Sequence, residues 1–96
     1  MLLAQGSQAF VGRLQMEGGA AVPEHKDTTE EYIHILQGQG TMTIDGQSFD
    51  IAEGATIFMP ANATVSFQNG PETLIALQVF AGPQPAQKYD RWNPQP

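Results

Sequence analysis

Punctuation constrains this chain more than any other feature. Gly18-Gly19, Gly38-Gln39-Gly40, Asp45-Gly46, Glu53-Gly54 and Asn69-Gly70-Pro71 cut it into runs too short for a helical framework. No window of about 11 residues keeps apolar positions at helical spacing without a Gly or Pro interrupting it. The runs between the breaks are rich in β-branched and aromatic residues and read as seven strands: Ala9–Met16, Glu31–Leu36, Thr41–Ile44, Ser48–Ile51, Thr56–Met59, Val65–Phe67 and Thr73–Phe80. Asp45-Gly46 between two alternating runs favours a two-residue type I′ turn, so Thr41–Ile44 and Gln47–Ile51 form a hairpin. Asn69-Gly70 provides a second, longer connection. Short antiparallel strands at this spacing imply an all-β sandwich or barrel with its loops gathered at the ends.

A chain of 96 residues is one domain long, and at that size folding buries somewhat more than about 60% of the unfolded surface. The barrel is expected over residues 1–81. From Gly82 the composition changes to a Pro/Gln-rich tail, 82–96, which holds four of the seven prolines and cannot pair in a central strand. Tyr89 and Trp92 in that tail could dock it over the barrel mouth or on another subunit. With 4 Lys+Arg against 10 Asp+Glu the net charge is −6, which offers no footing on phosphate backbones or anionic lipid and argues against nucleic acid and membrane as partners. No apolar run approaches a membrane span or a signal peptide, so a soluble protein is expected. The absence of Cys removes disulfides and thiol chemistry without fixing the compartment: the cytoplasm by default, or a trimmed secreted form.

Chemistry concentrates between Gly19 and Gly38. In extended chain, residues two apart share a face, so His25 and Asp27 can point into one cavity, and Glu31 projects with Ile33 and Ile35. One imidazole and two carboxylates can therefore converge inside an apolar barrel, where carboxylates need a cation, a proton or solvent. His34 should face outward with Tyr32 and Leu36, and Lys26 should also point out. Glu24 and Glu30 read as solvated loop residues. Val65 and Phe67 share a face and are expected to line the cavity with Ile33, while Met42 and Met59 read as core fillers.

Gly19-(5)-His25-Lys26-Asp27-(3)-Glu31-(6)-Gly38 resembles the first motif of the cupin family, G(x)5HxH(x)3-4E(x)6G, at four of five fixed positions. Gly54, Pro60 and Asn69 fall at the spacing of its second motif, G(x)5PxG(x)2H(x)3N. The resemblance implies a double-stranded β-helix, a jelly-roll barrel of two antiparallel sheets. It also implies a single divalent metal, although Asp27 stands where the family has its second His and Val65 where it has its last. With only two His in the chain, a three-His site within one subunit is impossible. The expected ligands are His25, Asp27 and Glu31. Of Mn²⁺, Fe²⁺, Ni²⁺ and Zn²⁺, the oxygen-rich shell favours Mn²⁺ or Fe²⁺.

The function implied is oxygenase, isomerase or lyase chemistry on a small organic ligand. Two other classes stand beside it. One is a metal-free binding or sensing cupin, with a His25–Asp27 pair and Val65 filling the vacated volume; without a metal, such a pair beside Glu31 could still transfer protons, and the superfamily includes metal-free epimerases. The other is an interaction protein working through its tail. The family also implies a homodimer, with Tyr32 and His34 on the pairing face.

Overall fold

The computed structural model describes residues 2–6 and 9–81. Among them there is no helix, and nine strands follow one another: β1 (Leu2–Gln5), β2 (Ala9–Met16), β3 (Ala21–Lys26), β4 (Glu31–Gln37), β5 (Gln39–Ile44), β6 (Gln47–Ala52), β7 (Thr56–Met59), β8 (Thr64–Asn69) and β9 (Leu74–Ala81). They form a five-stranded sheet ordered β1-β2-β9-β4-β7 and a four-stranded sheet ordered β3-β8-β5-β6, with every pairing antiparallel. Apart from the β1–β2 and β5–β6 pairs, consecutive strands fall in opposite sheets, as a jelly-roll barrel requires. The tail 82–96, with Tyr89 and Trp92, lies outside the described residues. No helix of the described residues is long and apolar enough to cross a membrane.

Strand alternation builds the interior. On β9 the residues Leu74, Ala76, Gln78 and Phe80 are buried, while Ile75, Leu77 and Val79 face outward, half-buried. Phe10 and Leu14 of β2, Ile33 and Ile35 of β4, and Met42, Val65 and Phe67 of the opposing sheet complete the core, and Met59 closes it from β7. Phe10 and Phe80 are opposite one another on β2 and β9 and stack with centroids 5.0 Å apart. Each such side chain contributes about 1.5–3 kcal/mol on burial. Met42 and Met59 are core residues, as their place in the strand pattern predicts.

Two turns show how local sequence fixes this arrangement. Asp45 and Gly46 have φ of 49° and 82°, and Ile44 pairs with Gln47 across them, which is the type I′ hairpin expected from Asp-Gly. Asp45 also ties its hairpin to β8, its carboxylate accepting the Thr64 N–H at 2.8 Å. Gly38, at φ 97°, is the single residue between β4 and β5, where the chain leaves one sheet for the other.

Seven strands are too few: β1 and β3 are additional. β1 is short and exposed throughout. β3 contains Pro23, which ordinarily argues against a strand. It is admitted here by an irregular register. Val22 pairs with Phe67 and His25 with Val65, so β3 advances three residues while β8 advances two. The extra residue is a bulge, one of the places where a sheet accepts proline.

Candidate functional site

The bulge in β3 decides where His25 points. Val22 and His25 are an odd number of residues apart and on a regular strand would face opposite ways. The extra residue restores the phase, so both face the interior, with His25 alongside Val65. His25 keeps some access to solvent, its side chain 14% exposed. The same bulge supplies its orienting group: His25 Nδ1 lies 2.9 Å from the Pro23 carbonyl oxygen. A carbonyl can only accept, so Nδ1 carries a hydrogen and donates, and Nε2 is turned toward the carboxylates.

Asp27 follows β3 directly and is buried. Its backbone is held from the other sheet connection, because Asn62 N–H, in the turn between β7 and β8, donates to the Asp27 carbonyl at 2.6 Å. Asn62 has a left-handed φ of 66°, a conformation Asn tolerates well. Glu31 begins β4 and is 2% exposed, paired on either side with Met59 of β7 and Phe80 of β9. His25 Nε2 and Asp27 Oδ2 are 3.3 Å apart. One ligand atom from each of His25, Asp27 and Glu31 can be chosen so that all three lie within 4.8 Å of one another. The three residues predicted to converge are therefore brought together at one end of the barrel.

This donor set fits a divalent cation. With Nδ1 fixed as a donor, Nε2 faces Asp27 either as an N–H, which makes the ring an imidazolium, or as a bare lone pair. A lone pair against a carboxylate oxygen is repulsive unless a cation lies between them. A metal-ligating His that donates its other N–H to a backbone carbonyl is the usual supporting arrangement. Two buried carboxylates likewise call for positive charge.

The remaining residues separate cleanly. His34 is on the outer face of the five-stranded sheet, its Nδ1 2.7 Å from Thr56 Oγ1, with Tyr32 and Leu36 exposed beside it. Lys26, Glu24 and Glu30 are exposed. Ile33 and Phe67 line an interior cavity of about 10 Å³ with Leu14, Ile35 and Met42, which is the lower limit for a single water. Val65 is buried opposite His25. Asn69, at the end of the second motif, clamps loops: its Nδ2 donates to the carbonyls of Met16, Glu17 and Glu72. Gln78 belongs to no motif, and only its position between Ala76 and Phe80 on the inward register of β9 marks it.

The fold and this inward cluster define a small β-barrel with a candidate metal centre at one end. Residues 12–80 match the family model for the cupin domain, and the chain belongs to the cupin family. Among curated relatives, dimethylsulfoniopropionate lyase DddW of Ruegeria pomeroyi is 31% identical over 71 residues, which cover 74% of this chain and 47% of the lyase. The chain spans about a third to a half of the length of the first curated relatives it matches. A predicted oxalate decarboxylase from Thermotoga maritima superposes with a TM-score of 0.73 at 26% identity, covering 79% of this chain and 68% of that one. The cupin domain of Schizosaccharomyces pombe Cnp3 gives a TM-score of 0.82 at 20% identity over 97% of this chain and 69% of that one, a likeness of fold alone.

Proposed function

We propose that this cupin holds one divalent cation, Mn²⁺ or Fe²⁺ by preference, through His25, Asp27 and Glu31, and uses it for lyase-type chemistry on a small carboxylic acid. The observation that carries the reading is the convergence of one imidazole and two buried carboxylates within 4.8 Å. Two relatives support the reaction class, since one is named a dimethylsulfoniopropionate lyase and the other a predicted oxalate decarboxylase, and both names specify a small carboxylate. The bound ion would supply Lewis acidity, polarising a substrate oxygen. His25 is held in position by its bond to the Pro23 carbonyl. Glu31 would hold its charge against the ion, with buried Phe80 paired beside it on β9. The oxygen-rich donor set favours harder ions over copper.

A second reading is favoured by the 3.3 Å approach of His25 Nε2 to Asp27 Oδ2: an imidazolium–carboxylate pair in a metal-free binding protein. Elemental analysis of protein purified without chelator, with Mn²⁺, Fe²⁺, Ni²⁺ and Zn²⁺ titrations of the wild type, His25→Ala and Glu31→Ala, separates the two. Near-stoichiometric metal that both variants lose by 100-fold or more in affinity, on the order of 3 kcal/mol, supports the metal centre. Metal-free protein with no saturable binding leaves the ion pair. The outer face of the five-stranded sheet, where Tyr32 and Phe58 pack at 5.1 Å near exposed Leu36, is assigned in the same proposal to a homodimer.

A further inference from the structure

Gln78 is the most deeply buried polar side chain of the barrel, 0% exposed, and neither Nε2 nor Oε1 has a hydrogen-bond partner among the described residues. It stands on β9 near the middle of the five-stranded sheet, opposite Gly12 on β2 and Ile33 on β4. Its inward neighbours along β9 are Ala76 and Phe80, which offer no polar group. A primary amide brings two donors and an acceptor into the core, and burying them unpaired is unfavourable where Leu or Met would cost nothing. Such a group calls for a partner that the described residues do not supply.

The register shows where that partner would be. Glu31 pairs with Phe80 and Ile33 with Gln78. Glu31 and Gln78 are therefore diagonal neighbours on one inward face, at a backbone spacing of about 7–8 Å that long side chains can bridge. Three protein ligands leave coordination positions for donors from outside the chain. Gln78 is the nearest inward polar side chain to Glu31 along β9, and it can donate from Nε2 to an oxygen bound there.

Resting on the metal reading above, we propose that the Gln78 amide holds the non-protein oxygen ligand of a cation bound by His25, Asp27 and Glu31. That ligand is water in the resting protein and a small carboxylate in competition with it. Gln78 is thus a specificity-determining residue for a carboxylate oxygen.

The test uses the full chain loaded with Mn²⁺, with water-proton relaxation as the readout and acetate and propionate as probes, in wild type, Gln78→Met and Gln78→Glu. In the wild type either carboxylate should displace bound water and lower the relaxation enhancement saturably. Gln78→Met should bind Mn²⁺ within about threefold of the wild type but lose roughly tenfold or more in carboxylate affinity, as expected for one hydrogen bond to a charged group. Gln78→Glu should bind Mn²⁺ more tightly and the carboxylates more weakly, because the new charge attracts one and repels the other. Carboxylate binding within twofold of the wild type in both variants, with only a change in melting temperature, would make Gln78 a tolerated core amide and overturn the proposal while leaving the metal centre intact. Absence of saturable Mn²⁺ binding in the wild type would overturn both.

Discussion

His25 and Val65 face each other across β3 and β8, and the chemistry of the site turns on that pair of residues. Where the family motif places an imidazole, Val65 presents hydrocarbon, 3% exposed, so the donor set is one nitrogen and two carboxylates. Val65→His places a second imidazole directly opposite the first. It should raise affinity for Zn²⁺ and Ni²⁺ by tenfold or more relative to Mn²⁺, because imidazole suits those ions better than carboxylate does. Competitive titration against a chromophoric chelator checks this, and an unchanged order of affinities would mean that position 65 does not reach the ion. His25, Asp27 and Glu31 were legible in the sequence because spacing along extended chain is a direct statement about faces. The Nδ1 bond to Pro23 was not, since it depends on an irregularity, and neither was Gln78, which is one amide in an otherwise apolar run.

β3 carries His25 and leads directly into Asp27, and it is also one of the two strands the pattern did not reveal. Pro23 in an otherwise extended run reads as a break, yet the break is a bulge that turns His25 inward and lends it a carbonyl. The Asp45-Gly46 hairpin was legible because a positive φ at both turn residues leaves almost no other choice of sequence. β1 was missed because four exposed residues carry no alternation. Deleting Glu24 should remove the extra residue of the bulge and leave β3 regular, so that His25 stands two residues after Val22 and still faces inward opposite Val65. Pro23 then becomes its immediate neighbour, and the carbonyl that holds Nδ1 is lost. Metal affinity should drop about tenfold or more, with far-ultraviolet circular dichroism unchanged. Unchanged affinity in a folded deletion variant would show that the Pro23 carbonyl does not orient the ring.

For the molecule as a whole, the apolar outer face of the five-stranded sheet and the candidate centre make separate predictions. Tyr32, Leu36 and Phe58 are exposed on a face that also carries half-buried Ile75, Leu77 and Val79, side chains that neighbour one another across β7, β4 and β9, and a contiguous exposed apolar patch marks an interaction site. Sedimentation should give a dimer, and Tyr32→Glu with Phe58→Glu should give a monomer that still binds metal, because His25, Asp27 and Glu31 all lie inside one chain. A wild type that sediments as a monomer would sink the pairing. A cation bound only by the folded state stabilises it by mass action, about 2.7 kcal/mol at a free concentration 100-fold above Kd. In a domain of this size that corresponds to a rise in melting temperature of roughly 10–20 °C. The rise should be absent in Glu31→Gln, which keeps the shape of the side chain but loses the charge that attracts the ion. If the wild type and Glu31→Gln rise together, the ion binds elsewhere, and the cluster inside the barrel is held together by its own hydrogen bonds instead of by a metal.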